Sequence, residues 1–384
     1  MRDPFPIPPI PALSRAVQPL ADALSMPTLP LHIHEVLGAA LLYTFIQTVV
    51  SPVLSARLFP RFYPANHRSK KANWDTHVVS LAQSLLINAL ALWVMWVDDE
   101  RREFDYEHRV WGYTGACGLV QALAAGYFVW DLGITLLNFD IFGLGLLAHA
   151  VSALAVYTFG FVRPRPPSPP LFLSQLTTNI SACQRPYLNY YSPIFILYEL
   201  STPFLNIHWF FDKLGMTGSR PQLYNGIALL VTFFLCRLVW GTWQSAVVYG
   251  DMWKSLSRPP SAAYLAAASA ADSTDPHLNP MAFVAGQGDV PPVPVWLTLV
   301  YLASNLVLNA LNWYWFVKMV AAVRKRFEPP KEGKTKLEVS AAKEEDKAKA
   351  SAVGEKGEVR RRGRAHSIED VVPDSEELRD GTIQ

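Results

Sequence analysis

The chain has 384 residues, of which 51% are hydrophobic and 17% charged, and its formal net charge is +2. Residues 323–384 hold 15 Lys and Arg and 14 Asp and Glu, so only 37 of the 66 charged side chains fall in the first 322 residues. This division excludes an ordinary soluble globular chain, and the small net charge gives no reason to predict a nucleic-acid partner.

Seven apolar stretches follow a proline-rich N-terminal segment (1–33). A membrane span needs roughly 20 apolar residues, and its backbone polar groups must be satisfied inside the segment. The sequence therefore predicts an all-α fold, a multi-pass transmembrane helical bundle of about seven spans within residues 34–322. The predicted spans are 34–58, 75–97, 112–134, 141–162, 191–211, 222–248 and 294–320.

Two further segments differ in composition from the spans. Residues 257–293 are rich in Ala, Ser and Pro and are predicted to form a loosely ordered loop insertion, and RPRPPSPP at 163–170 is predicted to be an extended spacer. The tail (323–384) mixes both charges and lacks aromatic residues beyond Phe327, so a disordered charged tail is predicted.

Basic residues indicate the orientation of the chain. Five Lys and Arg lie at the end of the first span and in the loop after it, and Arg324, Lys325 and Arg326 follow the last. The positive-inside rule therefore predicts that the loop and the tail lie in the cytosol and the N-terminus lies outside. The sequon at Asn179 falls in a loop predicted to lie outside, which agrees with this orientation.

Two ionisable residues lie within neighbouring apolar stretches, Asp131 in the third span and His149 in the fourth. Such groups are costly in hydrocarbon, so they mark candidate functional sites. Ser152 lies three residues after His149 and shares its helical face. His149 is a candidate general base; the alternative is a neutral histidine that only bonds a neighbouring helix.

A third ionisable residue, Glu199, precedes Pro203 by four positions. Proline cannot donate to the carbonyl four residues earlier, so the helix is predicted to break at Glu199. Glu199 is either an acid, base or counter-charge in a cavity, or the structural partner of Arg237 in the sixth span. The two roles are compatible.

Polar residues recur at helical spacing on three spans, and such stripes are predicted to face the bundle interior. One interpretation is hydrogen-bonded contact between helices; the other is a polar intramembrane chamber lined by Asp131, His149, Glu199 and Arg237. The stripes are His77, Ser80, Ser84 and Asn88; Asn305, Asn309 and Asn312; and Arg237 with Gln244.

Motifs for cofactors and metals are missing from the sequence. It has no P-loop, GxSxG, HExxH or zinc-binding cluster, and its three cysteines show no CxxC spacing. No cofactor and no metal site is predicted.

Six blocks, taken in order, resemble the TLC domain family, which includes the ceramide synthases, and they resemble its smaller branch of TLC domain-containing proteins more than the synthases. The similarity covers roughly residues 35–322. The blocks are NWDTHVVSLAQSL (73–85), AGYFVWDL (125–132), LLAHAVSAL (146–154), ELSTPFLNIHWFF (199–211), NGIALLVTFFLCRL (225–238) and LNWYWFVKM (311–319).

The resemblance implies a helical bundle in an endomembrane, commonly the endoplasmic reticulum, with a lipid-related role and membrane lipids, sphingolipid or phospholipid, as partners. Ceramide synthases carry two adjacent histidines in the fourth span, followed by Thr. Here Ala148 and His149 stand at the two histidine positions and Ser152 at the Thr position, while Asp140 lies one residue off the synthase spacing.

The leading hypothesis is a protein of lipid homeostasis that binds or senses a lipid in the chamber. One alternative is a ceramide-synthase-like N-acyltransferase that uses acyl-CoA and His149 as base, with Asp131 or Glu199 orienting it; another is a lipid transporter or scramblase. The catalytic candidates are Asp131, His149 and Glu199, and the lipid-binding candidates are His77, Asn88, Asp140, Ser152, Arg237, Asn309 and Asn312.

Overall fold

The structure is a computed structural model that describes residues 1–24, 26–159, 161, 187–271, 281–282, 292–293 and 295–327. All regular elements in these ranges are helices. Residues Met1–Tyr314 form one compact unit, and the described part of a second unit is Trp315–Phe327.

The α-helices are named in chain order. They are α1 (Pro11–Leu24), α2 (Leu29–Phe45), α3 (Ser51–Leu58), α4 (Arg68–Val97), α5 (Asp99–Arg102), α6 (Tyr106–Trp111), α7 (Gly115–Leu137), α8 (Phe139–Phe159), α9 (Ser192–Phe195), α10 (Thr202–Lys213), α11 (Arg220–Phe233), α12 (Gly241–Ser257), α13 (Ala262–Ala270) and α14 (Val295–Phe327). Two π-helices (Ile46–Val50, Phe234–Trp240) and two 3₁₀-helices (Asn189–Tyr191, Ile196–Ser201) join some of them.

Six helical stretches in the described residues are long and apolar enough to cross a membrane. They confirm an all-helical multi-pass membrane protein, and each coincides with one of the predicted spans other than the fifth. The six stretches are Leu29–Leu58, Arg68–Val97, Gly115–Leu137, Phe139–Thr158, Arg220–Ser257 and Val295–Arg324.

The predicted fifth span (191–211) is divided into α9, the 3₁₀-helix Ile196–Ser201 and α10. The break predicted at Glu199 is therefore confirmed. Pro203 is at the start of α10, where a missing N–H is tolerated, and the carbonyl of Glu199 accepts instead from the N–H of Thr202, a 3₁₀ bond. Most of Ile196–Ser201 is buried, so this irregular backbone lies inside the protein.

The proline-rich N-terminal segment contains helix α1, and the first helical stretch that could cross a membrane begins at Leu29, five residues before the predicted start at about residue 34. Part of the predicted loop 257–293 is likewise helical, as α13. The predicted spacer (163–170), the sequon at Asn179 and the tail from residue 328 lie outside the described residues.

Helices α2 and α7 pack closely against each other at Gly126. A Cβ added to Gly126 would meet the carbonyl oxygen of Val36 and would lie 2.7 Å from the Cβ of Ala39. Glycine therefore permits the backbone approach that membrane helices use for packing.

Gly126→Ala is expected to lower the free energy of unfolding by about 1–3 kcal/mol, because α2 and α7 must separate. Gly133→Ala on the same helix is the matched control, since nothing lies within 4 Å of a Cβ there. Thermal unfolding of the detergent-solubilised protein measures both. Equal melting temperatures for the two variants would show that the Gly126 contact does not limit packing.

Asp251 joins three elements at the end of α12. Its carboxylate accepts from Arg109 Nε at 2.7 Å, from Arg109 Nη2 at 3.1 Å and from the Tyr191 hydroxyl at 2.6 Å. The hydrogen bonds to Asp251 raise the pKa of Arg109, which keeps the guanidinium charged. This network attaches α6 and the 3₁₀-helix Asn189–Tyr191 to α12.

Candidate functional site

Two adjoining cavities lie among the spans, with volumes of about 30 and 20 Å³. Both are lined by His149, Glu199 and Arg237, and we call the two together the chamber. Since one water needs roughly 10–15 Å³, each cavity has room for one or two waters. The first is also lined by Phe128, Ala153, Val156, Tyr157, Phe195, Ile196, Tyr198, Asn305, Leu308 and Asn312, and the second by Ser80, Tyr127, Asp131, Thr202 and Leu205.

Arg237 lies in the π-helix Phe234–Trp240 and is 5% exposed. Its Nε donates to the Tyr198 carbonyl at 2.9 Å and lies 3.1 Å from Ser201 Oγ. Nη1 donates to Asn312 Oδ1 and Nη2 to Thr202 Oγ1, both at 3.1 Å. The guanidinium is thus held by both sides of the chamber.

The Oε1 atom of Glu199 lies 3.6 Å from Arg237 Nη2. Its side chain is buried, because the 3₁₀ turn before Pro203 directs this part of the segment into the core. The structural ion pair considered from the sequence is therefore present. Glu199 also lines both cavities, so pairing and a place in the chamber coexist.

Asp131 lies on α7, one turn after Tyr127, and lines the second cavity. It is 8% exposed. Within the described part of the chain its carboxylate receives no hydrogen bond, in contrast with the multiply bonded Arg237. Glu199 lines the same cavity, so two carboxylates share a space with one guanidinium.

His149 lies on α8 and is half-buried. The helix is broken before it at Gly143, whose φ of 71° favours glycine, and the turns from Leu144 onward run past the chamber. The Phe128 ring packs edge-on against the imidazole, with centroids 6.3 Å apart. His149 is the ionisable residue among the four that line the chamber from the largely exposed span α8, the others being Ala153, Val156 and Tyr157.

Three other candidates lie in hydrogen-bonded contacts outside the chamber lining. His77 Nδ1 lies 2.7 Å from Asn206 Oδ1, and its ring stacks on Trp209 with centroids 4.0 Å apart. Asn88 donates to the Ser84 carbonyl, and Asn309 donates to Asn305 Oδ1 at 2.7 Å. These contacts fit the interpretation of polar stripes as bonds within and between helices.

Two candidates are placed elsewhere. Asp140 is exposed in the first turn of α8, because it precedes the break at Gly143. Ser152 is buried, but the next residue, Ala153, lines the cavity. Of the seven predicted lipid-binding residues, only Arg237 and Asn312 line the chamber, together with Asp131, His149 and Glu199 from the catalytic candidates.

Three tyrosines that line the chamber, Tyr127, Tyr157 and Tyr198, were not predicted from the sequence. Tyr127 is four residues before Asp131, so helical spacing from an intramembrane acid could have identified it. A third cavity of about 10 Å³ shares Val156, Tyr157 and Phe195 with the chamber and is lined by further tyrosines, Tyr187, Tyr191 and Tyr301.

Comparisons with known proteins agree with the resemblance seen in the sequence. The family model for the TLC domain matches residues 73–178 and 172–321. A TLC domain-containing protein of Schizosaccharomyces pombe is 35% identical over 330 residues, which cover 86% of this chain and 91% of that protein. No solved structure matches the chain.

Two more distant relatives cover most of the chain. Topoisomerase I damage affected protein 4 of Saccharomyces cerevisiae is 24% identical over 305 residues, or 78% of this chain and 86% of that protein. The human TLC domain-containing protein 4 is 24% identical over 273 residues, which cover 70% of this chain and 81% of that protein. The relatives are TLC domain-containing proteins rather than ceramide synthases. The chain therefore belongs to the TLC domain family and is a multi-pass membrane protein.

Proposed function

We propose that this protein acts in lipid homeostasis by binding a lipid headgroup in the chamber. The observation that carries the proposal is the meeting of Asp131, His149 and Glu199, from three separate helical segments, around water-sized cavities between the spans. Ionisable residues inside spans are costly and usually face a partner or a wet cavity.

The hydrogen bonds of the chamber select the chemistry of the ligand. One N–H on each of the three nitrogens of Arg237 is engaged by a protein oxygen, and the Glu199 carboxylate lies 3.6 Å from Nη2, so a phosphate would meet a partly occupied donor beside a negative charge. The carboxylate of Asp131, in contrast, has room to accept. The chamber therefore favours a headgroup that donates hydrogen bonds, an amine or hydroxyl as in sphingoid bases.

The size of the cavities limits how the lipid is bound. Volumes of about 30 and 20 Å³ admit the end of a headgroup that displaces water, and no acyl chain. His149 is half-buried on α8, so we place the entry of the headgroup beside this helix, with the chains remaining among the exposed apolar side chains of the span.

The same arrangement supports an acyltransferase as the second candidate, because an imidazole and two carboxylates around one cavity could serve as base and orienting groups. Ala148 opposes it. If ceramide synthesis needs both histidines of the synthase pair, His149 alone lacks one proton-transfer partner, and general acid–base help is worth about 10²–10⁴-fold in rate.

The location follows the same reasoning. We propose the endoplasmic reticulum or another endomembrane, with the tail from residue 323 in the cytosol. The family resemblance supports the first part, and the basic residues after the last span support the second.

The lipid proposal predicts which lipids copurify with the protein. Four proteins are purified in mild detergent: wild type, Asp131→Asn, His149→Gln and Leu144→Ala. Sphingoid base, phosphatidylethanolamine and phosphatidic acid are added in turn, and the lipid bound per mole of protein is quantified by mass spectrometry. Loss of one charge-assisted hydrogen bond, about 1.5–3 kcal/mol, should reduce the retained amine or hydroxyl lipid about 10–100-fold in Asp131→Asn.

Leu144→Ala is the matched control, because Leu144 is 72% exposed on the same helix as His149 and should leave retention unchanged. Equal retention by wild type and Asp131→Asn, or preferential retention of phosphatidic acid, contradicts the proposal. Ceramide synthesis from sphingoid base and acyl-CoA by the wild type, abolished in His149→Gln, would establish the acyltransferase instead.

A further inference from the structure

A second cluster of ligand-type side chains lies at the start of the first span, with no residue in common with the chamber. His32 and Glu35 are in the first turns of α2, and Asp3 comes from the N-terminal segment. One ligand atom from each of the three lies within 4.8 Å of the other two. His32 and Glu35 are both 0% exposed.

Two carboxyl groups of this cluster share a single imidazole. His32 Nδ1 lies 2.8 Å from Glu35 Oε2 and 3.6 Å from Asp3 Oδ2, so two carboxylates meet one imidazole nitrogen. The other oxygen, Glu35 Oε1, is buried and has no hydrogen-bond partner among the described residues. His34 Nε2 lies 3.5 Å from it, but is engaged with the Ile7 carbonyl at 2.9 Å.

A bound cation accounts for this arrangement. Tetrahedral zinc, with bonds of about 2.0–2.2 Å, places its ligand atoms about 3.3–3.6 Å apart. The observed 3.6 Å agrees with that range, and the observed 2.8 Å is shorter. One imidazole with two carboxylates is a donor set that suits zinc better than magnesium or calcium, which prefer oxygen alone.

A neighbouring residue orients the histidine. The Tyr113 hydroxyl lies 2.5 Å from His32 Nε2, on the opposite side of the ring from Asp3 and Glu35. Metal-binding histidines typically have their second nitrogen held in this way. Tyr113 thus leaves Nδ1 directed at the two carboxylates.

We propose that Asp3, His32 and Glu35 bind a divalent transition metal of the zinc type, through His32 Nδ1 and the two carboxylates. Three protein ligands leave a fourth position for water. The metal fastens the N-terminal segment to the first span. It is also linked through Tyr113 to the start of α7, where the Gly115 N–H donates to the Met1 carbonyl at 3.0 Å.

The test uses the full chain in detergent with a C-terminal tag free of histidine. Each protein is incubated with excess zinc chloride, desalted and measured by inductively coupled plasma mass spectrometry. Wild type should retain about one zinc per chain, and Glu35→Gln and Asp3→Asn about tenfold less, since each loses an anionic ligand. The control is His108→Gln, because Asp105 and His108 form an exposed carboxylate–imidazole pair with the same 2.8 Å distance.

Melting temperature provides a second measurement. A strong chelator should lower the melting temperature of wild type and of His108→Gln, and should leave that of Glu35→Gln unchanged. If Glu35→Gln does not fold, the proposal is tested by the change in the melting temperature of wild type with chelator and by the zinc content of Asp3→Asn. The proposal is overturned if wild type retains no zinc. It is also overturned if Asp3→Asn and Glu35→Gln retain as much zinc as His108→Gln, and the three residues are then a hydrogen-bonded carboxyl cluster.

Discussion

Arg237→Met is expected to lower the free energy of unfolding by about 3–5 kcal/mol, because it leaves Glu199 as a buried charge without its partner. The substitution also removes the donors that engage the Tyr198 carbonyl, Asn312 and Thr202. Thermal unfolding of the detergent-solubilised protein, followed by size-exclusion chromatography, measures the change.

A double variant separates the two effects of that substitution. Glu199→Leu combined with Arg237→Met removes both charges, so it should melt at a higher temperature than Arg237→Met alone. Lys254→Met is the control on the same long helical stretch, since Lys254 is 53% exposed and lies 3.9 Å from its acidic partner. If Arg237→Met has the same melting temperature as Lys254→Met, the guanidinium is not held by the protein, and it is available to a phosphate, which contradicts the proposed ligand.

Asp251→Ala should lower the free energy of unfolding by roughly 3 kcal/mol, because Arg109 and Tyr191 lose their shared acceptor. The loss should be the same between about pH 6 and about pH 8. The raised pKa of Arg109 means that its contribution disappears only as the pH rises through a value far above this range.

Asp99→Ala is the control for this network. Asp99 also accepts from an arginine, Arg102, at 3.0 Å, but its side chain is 84% exposed, and such surface pairs contribute about 0–1 kcal/mol. The melting temperature and the rate of proteolysis of each variant provide the comparison. Similar melting temperatures for Asp251→Ala and Asp99→Ala would mean that the network does not stabilise the fold.

The membrane-spanning helices could be predicted from the sequence because each depends on local properties. Apolar length and backbone hydrogen bonding require a helix wherever a segment crosses lipid, whatever its neighbours are. The break at Glu199 is local in the same sense, because the ring of Pro203 acts on the carbonyl four residues before it. The polar stripe from His77 to Asn88 is buried for a similar reason, since helical periodicity alone assigns its residues to one face.

The predicted fifth span is divided for a physical reason that composition does not contain. Its apolar content suits a membrane helix, but residues 192–201 fold as a four-residue helix and a 3₁₀ segment packed against protein on nearly all sides. Irregular backbone is tolerated at such a place because neighbouring helices, rather than lipid, surround it. Burial by protein and burial by lipid look alike in a hydropathy pattern.

The partners of each polar residue were decided by the tertiary structure. Asp131 and Glu199 are 68 residues apart and line one cavity only because the fold brings α7 and the 3₁₀ segment to the same cavity. Arg237 reaches them from a π-helix, which has no sequence signature. His77, by contrast, is bonded to Asn206 and stacked on Trp209, and so it lies outside the chamber.

The cluster of Asp3, His32 and Glu35 shows the same limit. The positions of His32 and Glu35 three residues apart on α2 follow from helical spacing, but Asp3 joins them only through the fold of the N-terminal segment. By itself, the sequence determined which segments are helical and which faces are polar, because both follow from interactions within a few turns. Which faces meet, and hence which charges share a cavity or a metal, depends on packing between residues far apart in the chain.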